Sequence, residues 1–179
     1  MFLLSDAGAD KDIAMQGGAT PLSIASQSGH LEVVCLLSDA RADKDIAMQG
    51  GATATPLLIA SQNGRLEAVL FLLSDARADK DIAMQGGGTP LFIASLQGHQ
   101  GVVCLLSDAW ADKDIAMQGG ANPLFIAFQS GHLEMVRLLS YARADRDIAM
   151  QGGAAPLFIA PQSGHLESLN RIPTLPPTG

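Results

Sequence analysis

The sequence predicts an all-α repeat solenoid, built from helix-turn-helix units that are joined by hairpin loops. The heptapeptide Asp-Ile-Ala-Met-Gln-Gly-Gly occurs five times, at 12–18, 45–51, 81–87, 114–120 and 147–153. Pro-Leu recurs in the same register, at 21, 56, 90, 123 and 156. Successive copies of the heptapeptide are 33 residues apart, except that 36 residues separate the second copy from the third. A unit of this size cannot bury its own apolar face, so stacked neighbours must supply the core.

The first helix of each unit has start and stop signals, as residues 20–29 illustrate. Thr20 can accept a capping hydrogen bond, and Pro21 suits the first helical position because no backbone donor is needed there. Gly29 suits the conformation that ends a helix. Between them, one face collects the small and apolar side chains of Leu22, Ala25 and Ser26.

A second helix and a hairpin complete the unit. Residues 31–40 are predicted to be helical, with an apolar stripe formed by Val33, Val34, Leu36 and Leu37. Residues 41–52, with their charges and paired glycines, indicate an extended loop or hairpin.

The repeat register divides the chain into seven segments. They are a partial repeat at 1–18 (the end of a second helix and a hairpin), repeats at 19–51, 52–87, 88–120 and 121–153, a degenerate repeat at 154–172, and a Pro-rich tail at 173–179. The tail is expected to be extended and mobile. The unit at 52–87 carries a three-residue insertion, and one inserted residue falls in its second helix. That residue would rotate the rest of the helix by about 100°, which predicts a single-turn π-bulge near Leu70 or Phe71.

Several short motifs indicate which family this array resembles. Thr-Pro-Leu occurs at 20–22, 55–57 and 89–91, Gly-His at 29–30, 98–99, 131–132 and 164–165, and Leu-Glu-Val-Val at 31–34. With the 33-residue period, these residues resemble the ankyrin repeat, whose signature is T-P-L-H-x-A. The resemblance covers Met1 to about Ile172 and implies ankyrin-type units whose hairpin tips and first helices form a concave, protein-binding face.

One departure from the family pattern affects stability. The Gly that closes the second helix survives as Gly8 and is replaced in later units by Arg41, Arg77, Trp110 and Arg143. If the backbone keeps the left-handed turn of the family, each replacement costs about 1 kcal/mol. We therefore expect an array less stable than an idealised ankyrin stack.

Composition narrows the classes of partner and location. The net charge of −7 disfavours nucleic acid, because the field of the protein repels phosphates. The two cysteines, Cys35 and Cys104, form no CxxC motif, and no signal peptide or bilayer-spanning segment is visible. These observations predict a soluble, intracellular, cytoplasmic protein without membrane insertion.

No residue set predicts catalysis, a metal or a cofactor. The histidines at 30, 99, 132 and 165 hold equivalent positions in different units, too far apart to share one ion. They are interpreted as turn residues, the cysteines as core thiols, and the Asp-Lys-Asp segments as solvated turns. We expect a non-catalytic protein.

What remains is a surface for a protein or peptide partner. Carried over by family position, the partner-binding residues are Met48, Gln49, Gln62, Asn63, Met84, Gln85, Gln97, Met117, Gln118, Gln129, Ser130, Met150 and Gln151. Phe92, Phe125 and Phe158 form a ladder that either packs between repeats or lines a partner groove. The identical tips indicate either a repetitive ligand or recent copies without a dedicated partner.

The leading functional hypothesis is a protein–protein interaction scaffold that binds along the concave face. The alternatives are a targeting segment of a larger enzyme, such as a kinase or ubiquitin ligase, and a structural or orphan array. The uncapped end repeats also predict end-to-end self-association.

Overall fold

The structure, a computed structural model, describes residues 10–47, 54–142 and 144. These residues form eight α-helices: α1 (Pro21–Ser28), α2 (Leu31–Asp39), α3 (Pro56–Gln62), α4 (Leu66–Ser74), α5 (Pro90–Gln97), α6 (Gln100–Asp108), α7 (Pro123–Gln129) and α8 (Leu133–Tyr141). The predictions for residues 1–9 and 154–172 and for the tail at 173–179 lie outside the described residues.

The helices form a two-layered stack, as an all-α repeat solenoid requires. Each odd-numbered helix packs against the even-numbered helix that follows it, and both pack against their counterparts in the neighbouring unit. The odd-numbered helices contact one another more extensively than the even-numbered helices do. The first-helix layer is therefore the more closely packed of the two.

The predicted start signals of the first helices are confirmed. The hydroxyl oxygens of Thr20, Thr55 and Thr89 accept the backbone N–H three residues on, at 3.2, 3.3 and 3.2 Å. Asn122 replaces threonine in the fourth unit, and its Oδ1 accepts the N–H of Phe125 at 2.8 Å. A proline follows each cap at the start of the helix. Each of the four described first helices thus begins with one orphan N–H satisfied and another removed.

The core has two parts. The larger cluster lies between the two layers and contains the buried residues of the first and second helices, such as Leu22, Leu57 and Val69. The smaller cluster contains Leu58, Phe92, Phe125 and their neighbours, with Met84 and Met117 packed against it. The predicted small, apolar face of α1 is confirmed, because Leu22, Ala25 and Ser26 are all buried.

The apolar stripe predicted for the second helix is only half right. Val34 and Leu37 are buried, but Val33 is 43% exposed and Leu36 is 37% exposed. Leu36 lies on the flank of the stripe, where its counterparts in later units are also only partly buried. The counterpart of Val33 is buried in the next two units, as Ala68 and Val102. Val33 differs because it lies in the first described unit, on the face turned away from the rest of the stack.

The predicted π-bulge in the second helix of the third segment is wrong, since α4 is α-helical throughout. Val69 and Leu72 keep the buried positions that Val34 and Leu37 occupy in α2. The extra residue lies after Leu72, because the N–H of Ala78 donates to the Leu72 carbonyl, a span one residue longer than that from Ala42 to Leu37. An extra residue in the exposed turn leaves the core register intact, whereas a bulge would rotate the core residues that follow it.

The left-handed turn after the second helix is kept without glycine. Arg41, Arg77 and Trp110 have φ of 61°, 54° and 61°. The expected strain is thus present at three positions, and Arg143 lies outside the described residues. Because each L-residue in this conformation costs about 1 kcal/mol, the array is less stable than one with glycine there.

Candidate functional site

The hairpin tips share one backbone geometry. The N–H groups of Met15, Met84 and Met117 donate to the carbonyl four residues on, at 2.9 Å each. The carbonyl of each methionine accepts the N–H three residues on, at 2.8, 2.9 and 2.9 Å. The third residue of each turn is a glycine with positive φ (Gly17 108°, Gly86 101° and Gly119 125°). A turn of this kind requires glycine at that position, which explains the first of the paired glycines.

Neighbouring tips are linked through their backbones. The N–H of Gln118 donates to the carbonyl of Gly86 at 2.8 Å. A Cβ atom on Gly87 would lie 3.0 Å from the Cα of Met117 and 3.1 Å from the carbonyl oxygen of Ala116. The second glycine of the pair therefore permits close contact with the next tip. The hydrogen bond and this contact together fix the position of one tip relative to the other.

The structure places the predicted tip residues at two depths. Met84 and Met117 are half-buried and pack against the smaller core cluster, so much of each thioether side chain supports the tip from within. Gln85 and Gln118 are exposed, and so is Gln16 at the same turn position. Met48, Gln49, Met150 and Gln151 lie outside the described residues.

The remaining predicted residues lie at the C-terminal ends of the first helices. Gln62, Asn63, Gln97 and Gln129 are exposed, and Ser130 is half-buried. A helix of about eight residues is about 12 Å long, and the hairpin precedes its N-terminus. The predicted residues therefore form two separate rows, one at the tips and one at the helix ends, rather than one patch.

The helix-end row is adjacent to a set of hydrogen bonds between units. The Nε2 atoms of His99 and His132 lie 3.0 Å from the carbonyl oxygens of Gln62 and Leu96. In the unit before, the Nε–H of Arg65 donates to the carbonyl of Gln27 at 3.0 Å. At His99 and His132 the interpretation as structural turn residues is confirmed, and no cluster in the described residues could hold a metal ion.

A second set of bonds between units escaped the sequence analysis. The Oδ1 atoms of Asp12, Asp45 and Asp81 accept the N–H of Asp43, Asp79 and Asp112 in the next unit, at 2.8, 3.0 and 2.9 Å. The Asp-Lys-Asp segments are thus inter-unit links and not merely solvated turns. The signal was the return of an aspartate at the same two positions in every unit.

The phenylalanine ladder packs between repeats. Phe92 is 2% exposed and Phe125 is fully buried, both in the smaller core cluster together with Leu58 of the preceding unit. The alternative, a partner groove lined by these rings, is wrong for these two residues. Phe158 lies outside the described residues.

The pKa of the Cys35 thiol argues against a reactive cysteine. Burial, and then the nearby carboxylates of Asp39 and Asp75, raise the pKa of the Cys35 thiol. Cys35 is half-buried and stays protonated at neutral pH, so it is a poor nucleophile.

Charge is partitioned between the two sides of the stack. Five blocks of the sequence contain none of the chain's 11 basic and 18 acidic residues; they are 13–29, 46–64, 82–98, 115–131 and 148–164. Where the structure describes a whole block, as at 82–98, it runs from a hairpin tip through the first helix to the glycine that follows. Among the described residues, all charges lie in the second helices, the turns beside them and the Asp-Lys-Asp segments. The candidate surface therefore exposes carboxamides and hydroxyls without a fixed charge.

These features define a helical repeat protein whose units are joined by hydrogen bonds at the helix ends and at the loops. The chain belongs to the ankyrin repeat family: the model for three ankyrin repeats matches residues 42–117 and 91–172, and the single-repeat model matches 17–48. Ankyrin repeats are generally protein–protein interaction modules and are typically non-catalytic. No curated protein shows a significant match. None of the helices in the described residues is long and apolar enough to cross a bilayer.

Proposed function

We propose that this protein is a non-catalytic interaction scaffold that binds a protein partner along the concave, first-helix face of the stack. The observation that carries the proposal is the charge partition. The sequence blocks that carry the exposed Gln16, Gln85 and Gln118 contain no charged residue, unlike the second helices and the Asp-Lys-Asp segments. Interaction surfaces are depleted of charge at their centre in the same way.

The packing supports the choice of this face. The first helices contact one another more extensively than the second helices do, which supports a stack that is concave on the first-helix side. A concave surface contacts more of a partner than a flat one does. The carboxamides of glutamine both donate and accept hydrogen bonds, so such a surface can bind polar groups of either kind.

A site-specific cross-linking experiment tests the face directly. A photoreactive amino acid is placed at Gln85 or Gln118, and at Glu67 or Glu134 on the second helices as matched controls. We expect a defined partner to cross-link from the two glutamine positions and not from the two glutamate positions. Equal cross-linking from both faces would contradict the site.

The same experiment separates the alternatives. An orphan array yields only chaperones from every position. A targeting segment of a larger enzyme yields a substrate of that enzyme at the same glutamines, and its catalytic part would be found in the flanking transcript. We also propose that the protein is cytoplasmic, and cell fractionation tests this location.

A further inference from the structure

We propose that the candidate surface binds an extended, uncharged peptide segment whose recognised groups recur every third residue, one set for each repeat. The inference rests on the proposed function and specifies the chemistry of the partner. It follows from three observations: the repetition of the tips, the lack of charge in the blocks that carry them, and the burial of Ile59, Ile93 and the phenylalanines beside them.

The tips present the same group in the same geometry. Gln16, Gln85 and Gln118 occupy the second position of identical turns, and all three are exposed. The backbone link from Gln118 to Gly86 fixes the spacing of two successive tips. A ligand that makes equivalent contacts with successive units must offer the same group at the spacing of the units.

That spacing matches an extended chain. Neighbouring packed helices lie about 8–10 Å apart. Three residues of a polyproline II chain rise about 9 Å and complete one turn, so residues three apart face the same side. Every third residue of an extended segment therefore meets the next unit.

An α-helical ligand matches the spacing at about seven residues, but it does not match the chemistry. An amphipathic helix needs exposed apolar pockets. Here Ile59 and Ile93 are 6% and 8% exposed, and the phenylalanines beside them are buried. Carboxamides instead suit a backbone with free N–H and C=O groups, and an extended chain has these whereas a helix does not.

The side chains of the ligand must be uncharged. A charged group brought against 82–98 or 115–131 loses hydration and finds no opposite charge in those blocks. Acidic peptides and nucleic acids, which need cations on the surface, are disfavoured for the same reason. An extended segment rich in glycine, serine, asparagine or glutamine fits.

Fluorescence anisotropy with synthetic peptides tests the period and the charge separately. The probe is a twelve-residue Gly/Ser peptide with asparagine at every third position. Its controls have the same composition at a period of two or four, the same period with glutamate or lysine at those positions, and a heptad-patterned helical peptide. We expect the probe to bind at least tenfold more tightly than every control, and Gln118→Leu to weaken it about tenfold. Glu67→Gln and Glu134→Gln should leave its affinity unchanged.

Equal binding of the peptides with altered period, or tighter binding of the helical or charged peptides, would overturn the proposal. Failure of the peptides can be told apart from failure of the proposed function. If a folded partner cross-links from Gln85 and Gln118 while no peptide binds, the surface is right and its ligand chemistry is wrong. If neither occurs, both are wrong.

Discussion

The buried serines of the first helices differ in whether their hydroxyl groups are hydrogen-bonded. Ser61 is fully buried in α3, and its hydroxyl has no hydrogen-bond partner among the described residues. Ser95 holds the same position in α5 and is equally buried, but its hydroxyl donates to the Leu91 carbonyl at 2.8 Å. The fourth unit has no hydroxyl there, because Phe128 fills the position with a buried ring.

The two serines therefore predict different responses to the same substitution. We expect Ser61→Ala to raise the free energy of unfolding by about 1 kcal/mol, because it removes an unsatisfied buried hydroxyl. Ser95→Ala removes a hydroxyl that is already hydrogen-bonded, so it should not raise the free energy of unfolding. Urea denaturation of both variants beside the parent protein measures the difference. Equal changes in the free energy of unfolding for Ser61→Ala and Ser95→Ala would contradict the prediction that, of the two hydroxyls, only that of Ser61 is unsatisfied.

Trp110 combines backbone strain with an exposed aromatic ring. Its φ is 61° and its side chain is 84% exposed, so the ring contributes little packing against the strain. We expect Trp110→Gly to raise the free energy of unfolding by about 1 kcal/mol. Ala109→Gly is the matched control, because Ala109 has φ of −78° and gains nothing from glycine. It should lose about 0.5–1 kcal/mol. A similar loss in both variants would show that the left-handed turn is not strained.

At the scale of elements, the links between units come from side chains that the sequence shows but does not explain. The Asp81 carboxylate lies in one loop and accepts the N–H of Asp112 in the next at 2.9 Å. Asp81→Ala should lower the free energy of unfolding by about 1 kcal/mol, the net value of one hydrogen bond. Asp81→Asn keeps an acceptor oxygen and should lose less. Asp108→Ala, at the exposed end of α6, is the control. Equal losses for the alanine and asparagine variants at position 81 would show that charge and not the bond matters.

The helices were predictable because their signals are local. Thr20, Pro21 and Gly29 lie within one unit, and each acts on the helix that it begins or ends. The aspartate and histidine bonds were not predictable in this way. Their partners are 31 to 37 residues away in the sequence, and only the stacking of the units brings them together. The insertion was placed wrongly for a related reason. Comparison of the repeats assigns the extra residue to the second helix or its end, but not to one position. The burial of Leu72 shows that the extra residue comes after the core positions of that helix.

The candidate surface was half predictable on the same grounds. Family position located the exposed Gln85 and Gln118 on the tips, but it treated Met84 and Met117 as equal contact residues. Both methionines pack against the cluster that contains Phe92 and Phe125, which stand where the first described unit has the smaller Ser23. Only the packed stack shows which member of each Met-Gln pair supports the tip and which faces outward.

At the scale of the whole molecule, the first described unit has an apolar face that no other described unit covers. Ile13, Met15, Ile24 and Val33 are 63%, 64%, 40% and 43% exposed, and they line a cavity of about 350 Å³. In the next two units, the counterparts of Ile24 are buried, since Ile59 and Ile93 are 6% and 8% exposed. The surface therefore has the chemistry of an interface between repeats, which is where the predicted end-to-end association would occur.

Sedimentation velocity over a hundredfold range of concentration tests that association. We expect the sedimentation coefficient to rise with concentration, because burial of apolar surface drives association. Ile24→Lys and Val33→Lys place a charge on the apolar face and should weaken self-association at least tenfold, a difference of about 1.4 kcal/mol. Leu70→Lys is the control, since Leu70 is 50% exposed on α4, away from this face. A monomer at every concentration, or equal weakening by Leu70→Lys, would show that the units stack only within one chain.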